Sequence, residues 1–287
     1  PFSSSVYLAT EAILANGSVE QKEKWLPKLA SGEVVGTFAL AEGSGRPSAD
    51  SLNTRFEAGK LTGKKLPVPD GNIADFAVIV TKSDTGDGAS LALVELNQEA
   101  VIRSSVRTLD FSRGHASIEF KGAEAEILGA DGSGWSAMES LMDRAAVMFA
   151  WEQVGIADAA LEQARDYAMG RYAFGRAIAS YQAIKHKLAD MYVKNTLARS
   201  NCYYGAWALN SDSSELGLAA ATARVGAIQA SVNAAQENVQ THGGMGFTWE
   251  FDCQFFYRRA KLLSVNIGSE GFWQDKLITA YEQSNVA

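Results

Sequence analysis

Cysteine is nearly absent from this chain: two in 287 residues, Cys202 and Cys253, far apart and outside any metal-ligand spacing. That excludes a disulfide-stapled fold and a thiolate zinc site, and it fits a reducing cytoplasm. Histidine is equally sparse, and His115, His186 and His242 stand too far apart in sequence to suggest a metal pair. No nucleophile elbow, zinc motif or Ser-His-Asp arrangement is visible. Basic charge is in deficit: 26 Lys and Arg against 33 Asp and Glu leave a net charge of −7, with a pI near 5.1. Such a balance argues against a nucleic-acid binder. No apolar run is long enough to cross a bilayer, and the first residues lack the basic-then-apolar order of a signal peptide. Pro1 is not an initiator methionine, so the start is trimmed, processed or left out. Repeats and low-complexity linkers are absent as well.

What is present is an ordinary globular composition, 47% hydrophobic and 21% charged, in a chain long enough for one large domain or two smaller ones. Residues 3–30 read as helix, turn, helix. Ala9, Ala12, Ile13 and Leu14 form a stripe, Asn16-Gly17 stops it, and Ser18 caps the next start. This piece is too short for a core of its own and must dock elsewhere. From 34 to about 130 the character turns to short β-rich runs at 34–40, 51–58, 74–81, 90–95, 102–106 and 116–120, as in a meander or barrel. Gly43-Ser44-Gly45 is followed by no Lys-Ser/Thr pair and opens no helix, which excludes a nucleotide P-loop. From about 131 the chain is helical, with apolar residues at three-and-four spacing over 136–170, 180–210, 214–242 and 269–283. The expected architecture is α+β and multidomain. A helical segment at 1–33 leads into a β-barrel or sandwich at 34–130, and a four-helix bundle follows at 131–287.

Two stretches stand out. Arg171-Tyr-Ala-Phe-Gly-Arg176 joins two long helical patterns through a Phe174-Gly175 turn, placing Arg171, Gln182, Lys185 and His186 around it. A guanidinium there offers a planar fork suited to a pyrophosphate. Gln240-Thr-His-Gly-Gly-Met-Gly-Phe247 ends the next helix in a glycine-rich turn, where backbone can approach a ligand closely. Each also reads as structure alone, a solvated basic face and a helix C-cap. Asp143 and Glu152 sit among Met142, Val147, Met148, Phe149 and Trp151. A carboxylate in such surroundings could serve as a base, or be ion-paired with a neighbour such as Arg144.

The order of these motifs resembles the acyl-CoA dehydrogenase family over essentially the whole chain. Glu20-Gln-Lys-Glu-Lys-Trp-Leu-Pro-Lys-Leu-Ala-Ser-Gly-Glu33 is similar to the end of that family's N-terminal helical domain, here lacking most of its usual helices. Phe38-Ala-Leu-Ala-Glu42 is similar to the start of its β domain. The stretches 171–191 and 240–247 resemble its two helical-domain signatures, and Tyr257-Arg-Arg-Ala-Lys261 the run before its usual catalytic segment. The resemblance implies removal of an α-hydrogen from an acyl-CoA thioester by a Glu, with hydride passing to FAD.

Residue by residue, the resemblance then divides. The usual base falls on Ile267, and the alternative base position falls on Ala145, neither of which can take a proton. The hydroxyl that contacts the flavin ring falls on Ala41, and the segment that packs on the ring is Pro67-Val-Pro-Asp70. Arg171, Phe174, Gln182, Gln240, Gly243 and Gly244 match the set that reaches across a subunit interface to the ADP part of a neighbour's FAD. The chain thus resembles the reduced, non-catalytic subunit of bacterial heteromeric steroid-type enzymes. A catalytic partner would bind the acyl-CoA, with two of each subunit in the assembly. A self-sufficient enzyme using Asp143 or Glu152, and a flavin-free interaction protein on the same scaffold, are the competing expectations.

Overall fold

The computed structural model describes residues 1–83 and 88–284. It forms two compact units, Pro1–Ala145 and Ala146–Ala287. Of the second, residues 285–287 lie outside the described part, as do 84–87 of the first.

The first unit opens with a π-helical stretch, Ser3–Thr10, continuing into α1, Glu11–Asn16. Gly17 stops it, where a Cβ would stand 2.6 Å from the Ile13 carbonyl oxygen. Helix α2, Val19–Ser31, begins with a reciprocal cap: the Gln21 N–H donates to Ser18 Oγ and the Ser18 N–H to Gln21 Oε1. It ends on left-handed Gly32. These helices bury Leu8, Ala9, Ala12, Ile13 and Trp25, but against the following strands. Trp25 packs on Phe76, and Gln21 Nε2 donates to the Ile127 carbonyl. The helical segment therefore belongs to the same compact unit as the strands and is no separate body, because it has too little apolar surface to bury by itself.

Seven strands follow: β1 Gly36–Ala39, β2 Arg55–Glu57, β3 Lys60–Pro69, β4 Phe76–Lys82, β5 Ala89–Glu95, β6 Val101–Ser105 and β7 His115–Leu128. The pairing β4–β2–β3–β7–β5 returns from β5 to β4, so the sheet closes into a barrel; β1 adds to β4 and β6 to β7. Its core holds Leu61, Val68, Ile79, Val94, Ile118 and Phe120. Six of the strands fall on the expected runs, and β7 runs on to Leu128. The seventh, β3, was not expected. Its register on β7 shifts between Lys65 and Val68, placing Pro67 in a bulge where no ladder donor is needed.

Helix α3, Gly134–Gly170, runs from the first unit into the second. There α4, Gln182–Asn210, and α5, Leu216–His242, pack with it around Ala157, Ala164, Met191, Ala198, Cys202 and Ala227. Alanine predominates on α5, which lets neighbouring helices approach closely. Helix α7, Glu270–Ser284, packs on α5. A fifth helix, α6, Cys253–Leu263, also rests on α5. It was not expected from the sequence, although Cys253, Phe256, Ala260 and Leu263 keep helical spacing.

Candidate functional site

One end of the helical unit gathers the sequence-selected groups. After Gly170 the chain does not simply turn; it forms a two-stranded hairpin, β8 Tyr172–Ala173 and β9 Arg176–Ala177. Its two tip residues, Phe174 and Gly175, have φ of 52° and 79°, as a tight two-residue hairpin turn requires. The base of the hairpin is fixed by the Ile178 N–H to the Arg171 carbonyl at 2.8 Å. Tyr181 braces it: its hydroxyl donates to the Ala173 carbonyl at 2.9 Å, and its ring carries the Arg176 guanidinium at 3.9 Å. Phe174 therefore stands out rigidly, 97% exposed, in a backbone region that costs a bulky residue of order 1 kcal/mol or more.

Two contacts bring the other helix ends to this hairpin. Tyr167, one turn before Arg171, stacks on His242 at 4.0 Å, and Phe251 stands edge-on to both. Lys187, near the start of α4, pairs with Glu237 of α5 at 2.5 Å. Arg171, Gln182, Gln240, Gly243 and Gly244 thus share one end of the unit, and all are exposed. Among the described residues, the Arg171, Gln182 and Gln240 side chains make no hydrogen bond. Gly243 has a φ of 58°, and nothing stands within 4 Å of a Cβ placed on it or on Gly244. His242 is buried, with Nδ1 at 2.9 Å from the Asn238 carbonyl; its part is to hold the helix ends together. His186 is exposed beside them.

The positions matched to flavin-ring contacts look quite different. Ala41 offers no hydroxyl, and its carbonyl accepts from the Leu66 N–H. Pro67 and Pro69 bring no backbone donor, and the Pro69 carbonyl accepts from the Thr37 hydroxyl at 2.6 Å. Asp70 is buried, taking Ser4 Oγ at 2.6 Å and Arg113 Nη2 at 3.2 Å. Beside Arg113, burial pushes the His115 imidazole down from its ordinary pKa. Next to this segment Lys65 is wholly buried, donating to Glu42 at 2.8 Å and to the Leu40 carbonyl at 3.0 Å. Burial drives Lys65 down to about 8 although Glu42 opposes it. Burial works against Glu42 too, but Lys65 and the Thr54 donors outweigh it and hold that carboxylate at about 2. The side chains at Ala41 and at Pro67–Asp70 do not fit a flavin ring: they offer it no free hydroxyl and no aromatic face.

The base positions are equally barren. Ala145 is completely buried and Ile267 is half-buried. Arg144, the neighbour considered for Asp143 or Glu152, pairs with Glu11 at 2.7 Å. Glu152 lies 3.4 Å from Arg259, and Asp143 is half-buried. A feature that no sequence pattern signalled lies close to Ile267. Arg224 is fully buried and donates to Gln153 Oε1, to the Leu263 carbonyl and, at 2.8 Å, to Asn266 Oδ1. Burial pushes its guanidinium down to about 9. It ties the 263–266 segment, next to Ile267, to the helical core.

Models of two domains match this chain: the acyl-CoA dehydrogenase C-terminal domain over residues 132–278 and the acyl-CoA dehydrogenase N-terminal domain over 2–33. An acyl-CoA dehydrogenase of Bacillus subtilis is 35% identical over 274 residues, covering 91% of this chain and 72% of that protein. The structure of butyryl-CoA dehydrogenase from Megasphaera elsdenii superposes with a TM-score of 0.92 at 25% identity, over 97% of this chain and 76% of that one. A steroid ACAD variant, Tcur3481-Tcur3483, shares the fold with a TM-score of 0.88 at 23% identity, over 100% of this chain and 77% of its own. No described helix is long and apolar enough to cross a membrane.

Proposed function

This chain belongs to the acyl-CoA dehydrogenase family, and from that premise we propose that it is the non-catalytic subunit of a heteromeric, FAD-dependent acyl-CoA dehydrogenase. The observation that carries the reading is the opposition between two parts of one chain. Both base positions are alkyl, Ala145 and Ile267, and the ring-contact segment is closed by its own hydrogen bonds. The exposed end of the helical unit keeps Arg171, Gln182 and Gln240 without partners among the described residues. The FAD, when bound, supplies hydride acceptance at a centre built mainly by the partner.

In this reading Arg171 pairs with the pyrophosphate, whose geometry matches the guanidinium fork. Gln182 and Gln240 hydrogen-bond the nucleotide, Phe174 covers an apolar face, and Gly243-Gly244 let the backbone come close. The partner supplies the base and the acyl-CoA pocket, with two of each subunit in the assembly. A steroid side-chain CoA thioester is the substrate class to test first, since a steroid enzyme is among the proteins of like fold. Glu152 as a relocated base is disfavoured by its Arg259 contact.

The test is the visible spectrum of the chain purified alone and again after co-expression with its catalytic partner. Alone it should carry no flavin; in the complex FAD should be present and the acyl-CoA oxidised. One flavin per isolated chain, or turnover by the homomer that Glu152→Gln or Asp143→Asn abolishes, would overturn it.

A further inference from the structure

The first helix of the chain meets the barrel through hydroxyls before it meets it through apolar side chains. Its opening stretch, Ser3–Thr10, is π-helical. That coil is wider than an α-helix of about 3.6 residues per turn, so consecutive side chains stay closer to one face. Ser3, Ser4 and Ser5 use that face together. Arg113 donates from Nη1 to Ser3 Oγ at 3.1 Å and from Nη2 to Ser4 Oγ at 2.9 Å, and Ser4 Oγ donates to Asp70 at 2.6 Å. Ser5 Oγ accepts from the Gly36 N–H at 3.1 Å. The apolar anchors come later, at Leu8, Ala9, Ala12 and Ile13, whereas Phe2 is exposed and Val6 and Tyr7 are half-buried. Residues 2–7 thus rest on the barrel mainly by polar bonds, and a stretch held in that way can open while its neighbours stay closed.

Under these bonds lies a buried titratable group. His115, on β7, is 4% exposed and stands in register with Pro69, the residue before Asp70. Its Nδ1 is 3.3 Å from the Arg113 carbonyl oxygen, and the Asp70 N–H donates to the Gly114 carbonyl at 2.8 Å. Three charged groups act on the imidazole: Arg113 just before β7, Asp70 just after β3, and the buried Asp110 in the turn between β6 and β7. The helix above brings only the neutral hydroxyls of Ser3 and Ser4, and the chain after β6 brings Val106, whose N–H donates to the His115 carbonyl. Burial holds the imidazole below its ordinary pKa of 6.5.

We propose that these groups form a proton-operated latch: a proton on His115 loosens the Arg113–Asp70–Ser4 junction, and residues 2–7 lift from the barrel and uncover Asp70. Once charged, the imidazole is a second buried cation beside the Arg113 guanidinium, and both draw on the one Asp70 carboxylate. Lifting the first turns lets water reach all three groups and removes the cost of keeping the new charge dry. Helix α2 stays in place, since Trp25 packs on Phe76 and Gln21 bonds the Ile127 carbonyl. Neutral His115 favours the closed form in full above about pH 6.5, and that contribution is lost as the pH falls below it toward the lowered value of the folded chain. The latch uses none of the groups assigned to FAD.

Hydrogen exchange of the whole chain from about pH 5 to about pH 8, corrected for intrinsic rates, reads the latch directly. Protection of residues 3–7 should fall by up to about tenfold per pH unit below pH 6.5, the slope of one proton, while α2 and the barrel strands hold theirs. His115→Gln, neutral throughout, should make that protection flat. Ser4→Ala takes away a single hydroxyl and should speed exchange of residues 3–7 about three- to tenfold at every pH, which keeps the latch testable if His115→Gln does not fold. Protection of residues 3–7 that ignores pH, or that falls in step with α2 and the strands, overturns the proposal. So does a slope that survives His115→Gln, or exchange that Ser4→Ala leaves unchanged.

Discussion

Lys65, Glu42, Asp70 and Arg113 of the barrel unit are buried or nearly so, and each finds its hydrogen bonds inside the chain. Arg171, Gln182 and Gln240 of the helical unit stand in solvent, held in place by their helices and committed to nothing else among the described residues. On the proposed reading both regions correspond to contacts with one cofactor, and they have gone opposite ways. A group that binds a ligand must be left unsatisfied by the fold, because a donor already engaged must break one bond to make another. By that criterion the barrel has turned its polar groups to stability, and the helical end has left its own available for a ligand.

The contrast can be broken most severely at Lys65. Lys65→Met leaves the half-buried Glu42 with its backbone donors but without its cation, and should cost about 3 kcal/mol by urea unfolding of the whole chain. Flavin content of the assembled complex, per folded subunit, should stay the same. If Lys65→Met instead releases FAD from a folded complex, the barrel is part of the cofactor site after all. Arg171→Ala is the mirror experiment. It should lower FAD retention in the complex by about 10- to 100-fold, the loss of a charge-assisted contact, while the melting temperature of the isolated chain holds still. Loss of fold in this variant would assign Arg171 to packing.

Acid sharpens the same difference. Glu42 is held at about 2 in the folded chain against an ordinary 4.5. Its contribution is whole above about pH 4.5 and disappears as the pH falls toward 2. Urea midpoints should decline through that window, and Glu42→Gln should flatten the slope; an unchanged slope would place the acid-sensitive group elsewhere. The smallest effect is expected at the hairpin. Phe174→Asn relaxes a left-handed backbone that Asn tolerates, and should stabilise the chain by about 0.5–1 kcal/mol while weakening FAD retention. A loss of stability would mean that the exposed ring is packed.

Local chemistry was legible wherever neighbours in sequence decide the structure. Ser18 with Gln21 three residues on makes a reciprocal cap, and Asn16-Gly17 and Gly32 stop helices where they stand. The bundle helices follow their three-and-four spacing to within two residues at each end. Strand β3 was hidden because two prolines speak against a strand. Only the shifted register on β7, with Pro67 in the bulge and Pro69 at the strand's end, shows how they are accommodated. Nothing in the local pattern around Lys65 or Arg224 marks a buried cation, since the partners Glu42 and Asn266 lie 23 and 42 residues away.

The sequence by itself therefore determined the helices, most strands, the barrel-then-bundle order, and the absence of a protonatable side chain at positions 145 and 267. These depend on residue identity and on spacing along one chain. Tertiary structure alone decided which polar groups remain available. Asp70 and Arg171 look equally capable on paper; one is closed off by Ser4 and Arg113, 66 and 43 residues away in sequence, and the other is left open. Burial and hydrogen-bond satisfaction belong to the packed molecule, because they depend on what the fold places around each group.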